Sequence, residues 1–118
     1  MTVGKNRVEK AKELAEFCIK CADDKKAENP VLLPLGPSSS IADFFVVASA
    51  NSEPHLQALA SHIERQVREN FQIRVLSGDD SNPGGWVLLD FNTVVVHLML
   101  PEIRDKYQLE TLWGAVKR

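Results

Sequence analysis

Two cysteines, Cys18 and Cys21 in C-I-K-C, are the first place to look for chemistry in this chain. Their spacing suits a redox pair or half of a zinc site. A redox pair needs a helix N-terminus, where the dipole lowers the thiol pKa. This pair falls near the end of a helix, where the dipole acts in the opposite sense. A structural zinc needs about four ligands, and no second Cys pair or His pair at ligand spacing exists. Reduced thiols, with Cys18 in the core, are the expected state. His55 and His62 share one helix but miss the i, i+4 spacing that grips a metal. His97 has no Ser or Cys nucleophile in its sequence context, and no G-x-x-x-x-G-K-[ST] phosphate loop is present. No catalytic residue, metal or cofactor is expected.

What remains is a set of residues suited to contact: Trp86, Asp90, His97, Arg104 and Tyr107. Trp, Tyr and Arg are the side chains that dominate protein interfaces. Two strands must position them, Trp86 to Asp90 and Thr93 to Leu100, split by Phe91-Asn92 in a tight hairpin turn. With those two residues as the loop, Asp90 faces Thr93, Leu88 faces Val95 and Trp86 faces His97. A four-residue loop keeps that arrangement, whereas a three-residue loop breaks it. Alternation puts Trp86, Leu88, Asp90, Val95, His97 and Met99 on one mixed face. Val87, Leu89, Val94, Val96, Leu98 and Leu100 form the other, wholly apolar face. On residues alone, His97 is equally a satisfied, half-buried histidine beneath Trp86 or part of an exposed binding face. Pro101 ends the strand and starts a short charged helical turn through Tyr107. Leu109, Leu112 and Trp113 follow at helical spacing as core-closing residues, with Gly114 as a stop.

The remaining elements follow from periodicity. Asn6 and Glu9 form a capping-box start, and Val8, Ala11, Leu14, Ala15, Cys18, Ile19 and Ala22 make one helix face. Val31 to Leu35 is a strand that Pro34 confines to an edge. Gly36 to Ser40 is a loop. Ala42 to Ala48 is a central strand, its apolar run covered on both faces. Ser52 caps a second helix, whose stripe is Leu56, Leu59, Ala60, Ile63, Val67 and Phe71. Ile73 to Leu76 is a third strand, parallel to the second across a right-handed crossover. Ser77 to Gly85 is a loop. The expected fold is α/β: one domain over residues 1–118, frayed at 1–5 and 115–118, in the order α-β-β-α-β-β-β-α. Its sheet is mixed and five-stranded, with helices packed on it.

Several stretches carry a resemblance to one family. They are G-W-V-L-L-D, V-V-V-H, the ending P-E-x-R-x-x-Y-x-L-E-x-L-W, D-D-K-K-A-E (Asp23 to Glu28), S-S-x-A-D-F-F-V-V-A (Ser39 to Ala48) and L-A-S-H-I-E. Together they resemble the ribosomal silencing factors, also called Iojap. Pro34, Ser77 and Asn92-Thr93 depart from the usual pattern, but only in an edge strand and loops. The resemblance implies a factor that binds ribosomal protein fourteen of the large subunit, blocks subunit joining and represses translation, with no cofactor. It moves His97 toward the binding face. It also implies a fold like that of nucleotidyltransferases, which hold Mg²⁺ with two carboxylates one residue apart after a serine turn. Asp43 matches the first, but Phe45 stands at the second. Asp43 is therefore expected to bond backbone around the serine turn. A degenerate nucleotide-binding protein and a homodimerisation module are the alternatives.

Bulk composition is ordinary for a soluble globular protein. The chain has 118 residues, 44% hydrophobic and 25% charged, with a net charge of −2. That charge gives no field seeking DNA or an anionic membrane. No apolar signal core or membrane-length run is present, so a cytoplasmic site is expected, or an organellar one in a eukaryote.

Overall fold

The computed structural model describes residues 7–35, 42–76 and 84–108. They form one α/β domain with three helices and four strands: α1 (Arg7–Asp24), β1 (Glu28–Pro34), β2 (Phe44–Ser49), α2 (Glu53–Phe71), β3 (Trp86–Asp90), β4 (Val94–Met99) and α3 (Pro101–Tyr107). The expected Asn6 cap, the serine loop with its proposed bonds to Asp43, the Leu109–Gly114 spacing and the frayed ends lie outside the described residues.

The sheet runs β1-β2-β4-β3. Its centre is the parallel pair β2 and β4, in which Phe44 faces Val94 and Val47 faces His97. Every residue of both strands is buried. That is why their sequences are near-continuous Val and Phe runs rather than alternating ones. β1 lies antiparallel on the β2 edge, where Pro34 costs no ladder bond. A register shift between Glu28 and Val31, beside Asn29 at a positive φ of 48°, blunts that edge further.

Each face of the sheet builds a core. On one side α1 and α2 pack Ala11, Leu14, Ala15, Cys18, Leu56, Leu59, Ile63 and Val67 against Phe44, Val46, Leu89, Val94, Val96 and Leu98. Each large side chain buried this way contributes roughly 1.5–3 kcal/mol. Val8, expected on the α1 stripe, is exposed, and the buried face begins at Ala11. On the other side Leu33, Ala42, Phe45, Val47, Val95 and Met99 gather with Trp86, Leu88 and Ile103 around them. The helix ends follow local chemistry. Ser52 Oγ accepts the His55 N–H at 3.2 Å, and Gln72 closes α2 at φ 55°.

The structure corrects the sequence reading in two places. Among the described residues the sheet has four strands, because Ile73 to Leu76 joins no ladder. Ile73 and Val75 turn toward the helical core, and one backbone bond, Leu76 N–H to Asp90 O at 2.7 Å, ties the segment to β3. The parallel partner of β2 is β4, reached through α2 and β3. The hairpin register is also displaced by two residues: Asp90 pairs with Val95, Leu88 with His97 and Trp86 with Met99. Phe91 is the cause. It is buried in the helical core and its N–H donates to Val94 O at 2.9 Å, which moves the turn one residue on, to Asn92-Thr93. A shift of two preserves side-chain faces, so the division into two faces stands.

Candidate functional site

Four aromatic rings form a row across the second face of the sheet. It begins at Phe45 on β2, whose ring meets the His97 imidazole edge-on at 4.5 Å between centroids. His97 on β4 lies 5.9 Å from the Trp86 ring on β3, and Trp86 lies 4.9 Å from Tyr107 at the end of α3. Exposure grows along the row. Phe45 and His97 are each 5% exposed, Trp86 is half-buried and Tyr107 is 37% exposed. Tilted ring pairs at these separations are favourable beyond their buried area.

The chain is brought into this geometry by Gly85 and by Arg104. Gly85 has φ 87°, and a Cβ there would meet Ile103 and Leu100 side-chain atoms at 3.1 Å. Only glycine accepts both the backbone and the contact. Its carbonyl takes the Leu100 N–H at 2.8 Å, so β3 starts directly beneath the root of α3. Arg104 then fixes α3. It is 9% exposed and donates from one guanidinium nitrogen to Ser49 Oγ at 3.0 Å and to Glu28 O at 3.3 Å. These bonds tie the helix to the ends of β2 and β1, and they set Tyr107 one turn later over the indole.

The Trp86 indole N–H donates to His97 Nδ1 at 3.3 Å. An indole nitrogen can only donate, so Nδ1 carries the lone pair and Nε2 the proton. Nε2 is buried with no hydrogen-bond partner. Burial lowers the His97 pKa to about 4, so the ring is neutral near pH 7. The expectation of an exposed Trp–Asp–His patch is therefore corrected. His97 and Arg104 are interior, because the mixed face carries a core of its own. Asp90 is apart from the row, at the far end of β3 and about 13 Å along it at ~3.3 Å per residue. Its Oδ1 accepts the Asn92 N–H at 2.8 Å, which holds the left-handed turn at Asn92. Trp86, His97 and Tyr107 come together with Arg104 behind them, and Asp90 does not.

The other titratable groups have structural places. Cys18 and Cys21 are both free and buried. Burial, then the neighbouring Cys21, pushes the Cys18 thiol far up. Burial, then Asp24, raises Cys21 to about 11 against the opposing pull of Lys20. His55 spans two elements: Nδ1 accepts the Asn51 N–H at 3.0 Å, and Nε2 meets Lys25 O at 2.7 Å. Burial, then Lys25 and Arg65, lowers the His62 pKa. No group of three or more His, Cys, Asp or Glu among the described residues could hold a metal. The second carboxylate position is filled by the phenyl ring that starts the row, Phe45. No helix among the described residues is long and apolar enough to cross a membrane.

Sequence reasoning missed Phe45, Gly85 and Ser49. Phe45 was legible, since it is two residues from Asp43 on a strand and so shares its face. Gly85 was visible as a loop glycine and as the start of G-W-V-L-L-D, without its place under α3, and Ser49 gave no signal before α3 was placed against it.

The family model "Ribosomal silencing factor during starvation" matches residues 8–118. A ribosomal silencing factor from Halalkalibacterium halodurans is 40% identical over 103 residues, covering 86% of each chain. The mouse protein "Mitochondrial assembly of ribosomal large subunit protein 1" is 31% identical over 94 residues, 75% of this chain and 40% of that one. A crystal structure of a Chromobacterium violaceum protein superposes with a TM-score of 0.81 at 31% identity, covering 88% of this chain and 86% of that chain. Sequence and fold agree, and this chain belongs to the ribosomal silencing factor family.

Proposed function

We propose that this protein represses translation by binding the large ribosomal subunit, through ribosomal protein fourteen of that subunit, and sterically preventing the small subunit from joining. The observation that carries the reading is the Trp86–Tyr107 pair at the rim of the second face, anchored from behind by His97 and Arg104. A rigid, amphipathic aromatic pair on a packed base is the composition of an interface anchor. The mouse relative's name refers to assembly of a large ribosomal subunit, which supports that subunit as the target. The mechanism is occlusion, with no reaction and no cofactor. The site of action is the cytoplasm, or an organelle in a eukaryotic source, with neither DNA nor membrane as partner.

With a net charge of −2, contact is with protein more than with RNA phosphate. Co-sedimentation with purified large and small subunits across a salt series tests this. Large subunits alone should carry the protein, with affinity falling less than about tenfold over a range in which an RNA-driven contact loses ~10³-fold. Failure to sediment with large subunits, or collapse with salt, contradicts the reading.

A further inference from the structure

We propose that His97 is a positioning residue: its unprotonated Nδ1 holds the Trp86 indole in the orientation in which, with Tyr107, it meets the partner. The inference rests on the binding face proposed above. Three observations converge on it. The imidazole is walled by Phe45 at 4.5 Å and is 5% exposed, so the ring itself cannot reach a partner. Its Nδ1 lies 3.3 Å from the one donor that the Trp86 side chain possesses. Its Nε2 is buried without a hydrogen-bond partner.

A hydrocarbon at position 97 would avoid the cost of that orphaned nitrogen, since an unsatisfied buried polar group is destabilising. Val47 and Leu88, the residues registered against His97 from the neighbouring strands, are both apolar, and the site would accept another such side chain. What a hydrocarbon cannot supply is an acceptor for the indole. Packing against Tyr107, a tilted ring at 4.9 Å, and against the second core restrains Trp86 but is not directional at the indole nitrogen, which leaves it freedom to rotate. The bond to Nδ1 removes that freedom, so the indole reaches the partner already ordered.

The test uses two variants of the full chain. His97→Leu removes the acceptor and keeps an apolar filling. His97→Asn places an amide oxygen near the Nδ1 position and restores an acceptor. The Trp86 indole N–H is read by nuclear magnetic resonance on the free protein, assigned against Trp86→Phe, and affinity is read with purified large subunits. Wild type and His97→Asn should show a hydrogen-bonded, slowly exchanging indole proton. His97→Leu should show a solvent-like shift, faster exchange and roughly three- to tenfold weaker binding from the added ordering cost. An indole signal and affinity unmoved in His97→Leu overturn the proposal, and so does a His97→Asn variant as weak as His97→Leu. Should His97→Leu not fold, a solvent-like indole proton in wild type overturns it alone. The resonance readout needs no ribosome, so its outcome stands even if wild type does not bind large subunits.

Discussion

A tryptophan at a protein surface contributes most to binding when its rotamer is fixed beforehand, and Trp86 is fixed on two sides. Truncating a desolvated interface Trp commonly costs ~2 kcal/mol or more, which is over tenfold in affinity. Trp86→Ala should therefore bind large subunits at least about tenfold more weakly, and Tyr107→Ala less severely. Because Trp86 is half-buried and bonded to His97, its truncation also costs roughly 1–2 kcal/mol of stability, lowering the melting point more than Tyr107→Ala does. Melts beside titrations separate the two effects, and complete unfolding of Trp86→Ala would mark it as a core residue. His97 makes the same face sensitive to acid. Its folded pKa is lowered from 6.5 to about 4, so below pH 6.5 the unfolded chain takes up a proton that the folded chain refuses. Stability present above that pH is lost progressively as pH falls toward 4, by about 3 kcal/mol at the lower end. Urea melts at about pH 7 and about pH 4.5 should show this loss in wild type and a smaller one in His97→Asn, which has nothing to titrate there. Equal losses in both would assign the acid sensitivity to other groups.

At the scale of elements, the site depends on how β3 enters beneath α3. Gly85→Ala forces a side chain into a positive-φ position against Ile103 and Leu100 and should cost roughly 1–3 kcal/mol. Binding should fall with it, since the Leu100 and Ile103 side chains at the root of α3 must give way to the Cβ, and a melt and a titration on one preparation check both. α1 gives a complementary prediction. With both thiols buried and their pKa values raised, iodoacetamide near neutral pH should leave folded protein unlabelled and modify Cys18 and Cys21 only after unfolding. These elements differ in how far the sequence revealed them. The Val and Phe runs of β2 and β4, the Ser52 cap and the edge position of β1 were legible because each is set by local chemistry. The segment Ile73 to Leu76 alternates as a strand does, but pairing needs a neighbour in register, and only Leu76 found one bond. The hairpin register slipped for a similar reason. Phe91 reads as a turn residue until the helical core that buries it is in place. The candidate site was half legible. Residue types identified Trp86 and Tyr107, but the burial of His97 and Arg104 comes from a second core that strand alternation alone does not foretell.

At the scale of the whole molecule, the described residues build a four-stranded sheet whose faces do different work. Two helices cover one face and supply the larger core. The other buries a smaller core and ends in an aromatic rim beneath a short helix. Among the described residues no group of three or more metal-ligating side chains could hold a metal, and both thiols are buried; the proposed function asks only for shape and contact. Subunit reassociation tests that account most directly. Purified large and small subunits are mixed at joining magnesium concentrations with saturating wild-type protein or Trp86→Ala, and joined ribosomes are counted on a gradient. Wild type should lower the yield of joined ribosomes in proportion to its occupancy of large subunits, and Trp86→Ala should need at least about ten times more protein for the same effect. Normal joining with wild-type protein bound at saturation would contradict occlusion outright.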